Sequence, residues 1–238
     1  MHPHFFGLGA VVGAALAFAP QVSRAAVLFA SGPVDQWIPD DSATGLVSTI
    51  TIAEAGVVAS VSVQFELGVP AGETGWLGDL YAYLRHDDGF AVLLNRPGRT
   101  GVNPFGYGDS QPLQVTFADS AVNGDIHAYR AAAPLTASGS LVGPLLGTWA
   151  PDGRAVDPDV VLDTTPRTAL LGGFAGHSLG GNWTLFVADL STGGQHRLDR
   201  WALEFELQPA AIPEPATGTA AMLTGLLALA LWRRPPRR

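Results

Sequence analysis

Val57-Val58-Ala59-Ser60-Val61-Ser62-Val63-Gln64-Phe65-Glu66-Leu67 alternates with period two. Val57, Ala59, Val61, Val63, Phe65 and Leu67 fall on one face, while Ser60, Ser62, Gln64 and Glu66 fall on the other, with Val58 out of phase. A pleated strand sends successive side chains to opposite faces, so this pattern predicts a strand with one dry and one wet side. The same pattern recurs near the far end of the chain. There Trp201, Leu203, Phe205 and Leu207 alternate with Glu204 and Glu206, and Trp183, Leu185 and Val187 share a face just upstream. Shorter runs over Leu46–Ile52, Leu80–Arg85, Ala91–Leu94, Leu113–Phe117 and Ile126–Tyr129 are rich in β-branched or aromatic residues. Turn clusters such as Asp87-Asp88-Gly89, Asn123-Gly124-Asp125 and Pro151-Asp152-Gly153 separate them. These runs predict an all-β fold, an antiparallel two-sheet sandwich of about eight strands.

Composition points the same way. Among the 238 residues are 29 glycines and 18 prolines, but no cysteine. Gly and Pro cost about 1 and 3 kcal/mol in a helix interior, which disfavours a helical bundle. The lack of cysteine removes disulfides, thiolate chemistry and Cys-ligated metal sites. All 13 basic residues are arginine, so a lysine nucleophile, a Schiff base and a P-loop lysine are excluded. Between Ala26 and Pro213 the chain carries 8 basic and 20 acidic residues, a net charge of −12. Such a domain repels nucleic acid and anionic membrane surfaces. Calcium or an extracellular setting suits it better.

The two ends have their own character. Phe5 to Ala19 is an almost unbroken apolar run, too short to span a bilayer, and Ser23-Arg24-Ala25 follows it. This is the pattern of a secretory signal peptide over residues 1–25 with cleavage after Ala25. The C-terminal segment, residues 209–238, contains Pro213-Glu214-Pro215, an apolar stretch from Ala216 to Trp232, and an arginine cluster. These three parts, in this order, closely resemble the PEP-CTERM sorting tag. The resemblance implies recognition by a membrane protease of the exosortase type, transient anchoring in the inner membrane by the C-terminal helix alone, and delivery to the cell envelope or exterior. It also implies a setting of bacteria that make extracellular polysaccharide.

The strands carry a second family pattern. It runs through Ile38-Pro39-Asp40-Asp41, Trp76-Leu77-Gly78-Asp79-Leu80, Asn95-Arg96-Pro97-Gly98 and Phe117-Ala118-Asp119-Ser120-Ala121. It closes with Gly181-Asn182-Trp183-Thr184-Leu185 and Trp201-Ala202-Leu203-Glu204-Phe205. This series resembles the P domain (Homo B domain) of proprotein convertases and related subtilisin-like proteases. The resemblance covers residues 38–208, after a lead-in over 26–37. It implies a jelly roll that, in proteases, sits beside the catalytic domain. The connection over 130–171 is longer than the family's and reads as an extended loop, with room for an extra hairpin around Leu146–Trp149.

Candidate chemistry is sparse. Gly176-His177-Ser178-Leu179-Gly180 has the Gly-x-Ser-x-Gly form of a nucleophile elbow, but a strand pattern follows where a helix belongs. Asp189 and His196, seven residues apart across one turn, are the candidate partners for Ser178, and the subtilisin-type segments are absent. No bound cofactor is required. Calcium is the one candidate metal, with Asp79 and Asp119, which match acidic positions of the family pattern, as ligands. Asp152, Asp157, Asp159 and Asp163 form a second acidic cluster. Trp183 and Trp201 belong to the core, while Trp76 and Trp149 stay open as an aromatic surface for sugar. The sequence therefore reads as a non-catalytic exported module of the envelope or matrix, with polysaccharide or another envelope protein as partner. Its rivals are a carbohydrate-binding module and an accessory domain serving a separate subtilisin-like protease.

Overall fold

The computed structural model describes residues 26–209. The signal segment with Ala25 and the sorting segment with Pro213, Glu214 and Pro215 lie outside the described residues. The strands are β1 (Ala26–Ala30), β2 (Gln36–Trp37), β3 (Ser42–Ile52), β4 (Val58–Gly68) and β5 (Leu80–His86). They continue as β6 (Gly89–Asn95), β7 (Leu113–Phe117), β8 (Leu145–Trp149), β9 (Gly181–Asp189) and β10 (Arg197–Leu207). One sheet has the order β1-β10-β4-β7-β8, with β2 also on β10, and the other has the order β3-β9-β5-β6. The fold is thus an all-β sandwich. The order β1-β10-β4-β7 over β3-β9-β5-β6 is that of a jelly roll.

The core forms where the two inner faces meet. Trp183 of β9 meets Phe205 of β10 edge to face at 4.8 Å, and Phe65 of β4 meets Phe117 of β7 at 5.9 Å. Such aromatic pairs add about 0.5–1.5 kcal/mol beyond the area they bury. Each buried tryptophan satisfies its indole N–H. Trp183 donates to the Leu179 carbonyl at 2.9 Å, Trp201 to Ser48 Oγ at 2.8 Å and Trp149 to the Leu146 carbonyl at 3.0 Å.

Several expectations change in physical detail. In β4 the buried residue at the start is Val58, while Val57 is exposed, and the inward set resumes at Val61. A register break lies between the pairs Glu206↔Ser60 and Leu207↔Val58. The extra residue, Ala59, forms a bulge that reverses the phase of the alternation. Ile126–Tyr129 is not a strand. It lies in two 3₁₀ turns spanning Ile126–Ala131 that merge across Ala128. The Asp125 carboxylate accepts the His127 N–H at 3.0 Å and so caps the turn, diverting the backbone from a ladder.

The 26–37 lead-in supplies β1, which pairs antiparallel with β10, and β2. The expected hairpin at Leu146–Trp149 is instead β8, which runs parallel to β7. Parallel neighbours need a long crossover, and the excursion through residues 118–144 provides it. The sandwich is therefore antiparallel except at this edge.

Candidate functional site

Outward-facing positions on the four-stranded sheet should be polar by the alternation rule. In β5 the inward set is Leu80, Ala82, Leu84 and His86, and Tyr81 and Tyr83 face out. In β9 Trp183, Leu185 and Val187 face in, and Phe186 faces out. Register places Tyr83 opposite Phe186, and the two rings stack at 4.8 Å with a 17° interplanar angle. Phe90 of β6 lies 5.1 Å from Tyr83, and Tyr81 lies 5.9 Å from Tyr83 and 6.3 Å from Phe186. The four half-exposed rings floor a cleft of about 720 Å³. One wall is formed by Asp41, Ser42 and Ala43, the other by the segment from Ala155 to Asp159.

A bulge shapes the floor. Between the pairs Ser42↔Asp189 and Leu46↔Val187 the register of β3 against β9 breaks. Gly45 sits there at φ +55, and a Cβ would stand 2.5 Å from the Val187 carbonyl and 2.6 Å from the Phe186 ring. Only glycine allows the Phe186 ring to lie this close to β3.

The second wall belongs to the long connection and is pinned from beneath. Asn95, at the end of β6, donates through Nδ2 to the carbonyls of Arg154 (2.9 Å) and Val156 (3.1 Å). Arg99 donates to the carbonyls of Pro158, at 2.8 Å, and Asp159. At the base lies Asp152, fully buried. Its carboxylate accepts from His127 Nδ1 at 2.8 Å, Arg154 Nη1 at 3.2 Å and the backbone N–H groups of Asn95 and Arg154 at 3.3 Å. Arg154 continues to Asp125 Oδ2 at 2.9 Å.

His127 Nε2 faces the Arg99 carbonyl at 2.9 Å. Both ring nitrogens therefore point at acceptors, and only the imidazolium donates to both. Burial pulls the His127 pKa down, but the Asp152 hydrogen bond and charge outweigh it and hold the pKa above its ordinary value.

A second polar node reaches the cleft wall through Asp159. Arg96, buried and at φ 47, donates to the Gly78 carbonyl (3.2 Å), Asp79 Oδ1 (3.2 Å) and Ser191 Oγ (2.9 Å), and reaches Asp159 at 3.5 Å. Burial and the neighbouring Asp189 raise the Asp79 pKa against the pull of Arg96. Asp189 Oδ2 lies 3.8 Å from Nδ1 of buried His196.

The candidate calcium ligands engage different elements. Asp79 faces Arg96 and Ser191, whereas Asp119 accepts the backbone N–H groups of Leu171 (3.0 Å) and Gly172 (2.6 Å) and caps the 3₁₀ turn Leu171–Phe174. Among the described residues no group of three His, Asp or Glu side chains is disposed to hold a metal ion. Of the second acidic cluster, Asp157 and Asp159 line the cleft, Asp152 lies beneath it, and Asp163 lends Arg154 only its carbonyl, at 2.9 Å.

Ser178 lies between that 3₁₀ turn and β9, without the strand before and helix after that an elbow requires. Its carbonyl, not its hydroxyl, accepts from His86 Nε2 at 2.8 Å. Asp189 stands at the opposite end of the nine-residue β9, roughly 3.3 Å per residue away. Asp189 and His196 are neighbours at 3.8 Å, but Ser178 lies at the far end of β9 from them.

No family model matches the chain, and no curated protein does. The serine protease of Aeromonas sobria, solved with its chaperone, is similar over 78% of this chain at 16% identity and a TM-score of 0.39. The same protease solved alone covers 80% of this chain at 16% identity and a TM-score of 0.43. The chain spans 27% and 28% of those protease chains.

The sequence-derived aromatic surface is placed elsewhere. Trp149, Trp183 and Trp201 are core residues, while Trp76 remains exposed off the cleft floor. The cleft is instead floored by Tyr81, Tyr83, Phe90 and Phe186. Its signal was aromatic residues at the outward phase of otherwise ordinary strands.

Proposed function

We propose that the chain is an exported, non-catalytic interaction module of the cell envelope or extracellular matrix, built on a P-domain-like jelly roll. The observation that carries this reading is the aromatic cleft. It is preorganised on rigid strands, and one wall is held by buried ion pairs. Two further features support it. Every described strand lies between Ala26 and Leu207, so cleavage after Ala25 and at Pro213-Glu214-Pro215 would leave the sandwich whole. The Ser178 motif lacks the local architecture that nucleophilic catalysis needs.

In this reading a signal peptidase and an exosortase-type protease are processing partners. The membrane is engaged only through the C-terminal segment, and neither nucleic acid nor a cofactor is required. Intact-mass measurement on secreted protein tests it. Termini near Ala26 and Pro213 are expected, and full-length protein retained in the inner membrane would overturn it. The P-domain resemblance leaves a second role open, as a partner in trans of a separate subtilisin-like protease. Co-purification of such a protease would favour that role.

A further inference from the structure

We propose that the cleft over the outer face of the four-stranded sheet binds a neutral polysaccharide chain, its pyranose rings packed on Tyr81, Tyr83, Phe90 and Phe186. The inference rests on the reading of the chain as an exported interaction module and names the ligand of its cleft.

A pyranose ring has an apolar C–H face and a rim of hydroxyls. The cleft offers the complement of both. Four aromatic rings sit within 4.8–6.3 Å of their neighbours on one sheet face, so the floor is continuous. The cleft volume, about 720 Å³, falls within the ~300–1,000 Å³ of ordinary ligand sites. Around the floor stand the phenolic hydroxyls of Tyr81 and Tyr83 and the carboxylates of Asp41, Asp157 and Asp159. Among the described residues neither phenol nor the Asp41 carboxylate makes a hydrogen bond or ion pair, so sugar hydroxyls can claim them without breaking one.

The charge and shape narrow the choice. The Asp41 and Asp157 carboxylates in the walls, which have no arginine beside them as Asp159 does, and the net charge of −12 between Ala26 and Pro213 repel an acidic polymer. The rings are not coplanar. Tyr81 is turned 59° from Tyr83 and 65° from Phe186, and Phe90 is turned 45° from Tyr83. A flat crystalline polymer surface would meet only some of these faces, whereas a single twisted chain follows them.

The test is affinity electrophoresis of the exported protein in native gels containing dextran, a mixed-linkage β-glucan, a galactomannan or alginate. Retardation by at least one neutral polymer and none by alginate is expected. The Tyr81→Ala/Tyr83→Ala double variant should weaken that retardation by about tenfold or more, as expected for two truncated aromatic anchors. Because this variant opens the sheet face, its melting temperature is measured alongside. The milder Tyr83→Phe and Asp157→Asn variants serve if it unfolds, with Tyr83→Phe keeping most of the binding and Asp157→Asn losing part of it.

No retardation by any neutral polymer, or retardation that every folded variant retains, would overturn the proposal. So would a photo-crosslinker at Ala155 that captures a protein while the gels stay silent; in that case the interaction-module reading survives and only the ligand assignment fails. Failure of the broader reading shows separately, in the intact-mass measurement.

Discussion

Replacing His127 by glutamine separates the charge of the buried node from its shape. His127 is nearly fully buried and donates to both Asp152 and the Arg99 carbonyl, which requires the imidazolium. Truncating one partner of a buried ion pair costs about 3–5 kcal/mol, and the Arg154 contact that remains on Asp152 places the loss near the lower end, about 3 kcal/mol. For a domain of this size that corresponds to a melting-temperature drop of roughly 6–12 °C.

The pH dependence has a definite sign. A histidine whose folded pKa lies above its unfolded value binds protons more tightly in the native state. Its contribution is complete below the unfolded value of about 6.5 and fades as pH rises through the folded pKa. Urea unfolding at a series of pH values from 5.5 to about 9 should therefore show the wild type losing stability on the alkaline side of this window. The gap to His127→Gln should shrink in step. Because every other ionisable group is the same in both proteins, the difference between the two curves isolates His127. Amide exchange across residues 152–159 should quicken in the variant, since this node anchors the cleft wall. A gap that is constant across the series, or that widens with rising pH, would refute the assignment of a buried imidazolium.

Asp109 is the acid-side counterpart. Its buried carboxylate accepts from the Tyr129 hydroxyl at 2.6 Å, Arg130 Nε at 2.8 Å and the Leu141 N–H at 2.9 Å. Burial alone would raise its pKa, but these donors bring it below the ordinary value, so its contribution is full above about 3.9 and lost as pH falls through the folded pKa. Asp109→Ala should cost about 3–5 kcal/mol at neutral pH in urea titration and flatten the acid limb of the stability curve. Gly45→Ala should cost about 1–3 kcal/mol through overpacking against Phe186 and Val187, with a changed near-ultraviolet aromatic signal. Excess EDTA should leave the melting temperature unchanged, because Asp79 and Asp119 are already engaged by Arg96, Ser191 and backbone N–H groups; a fall on chelation, restored by calcium, would show that a metal supports the fold.

Alternation exposed those strands that bury one face. β4, β5, β7, β9 and β10 could be found because their inward residues are separated by polar or half-exposed ones. β1 escaped because Ala26-Val27-Leu28-Phe29-Ala30 has no polar phase and follows an apolar leader. Ile126–Tyr129 looked like a strand by composition, and a single side-chain cap from Asp125 decided otherwise. The Asp152 node was invisible for a different reason. In sequence Asp152 is one member of an acidic run on a long connection. Its burial depends on His127, 25 residues earlier, and Asn95, 57 earlier. The cleft aromatics sit at the outward phase of ordinary strands, where composition alone does not separate an exposed ring from a core one.

The position of β10 governs how this chain can assemble. It lies between β1 and β4, so the first described strand pairs with the last one. A chain emerging amino-terminus first leaves both neighbours with unsatisfied edges until Arg197–Leu207 arrives, and closure over so long a sequence separation is intrinsically slow. Whatever delays or removes that last described strand withholds the keystone of the larger sheet, so the sandwich closes only once Arg197–Leu207 is in place.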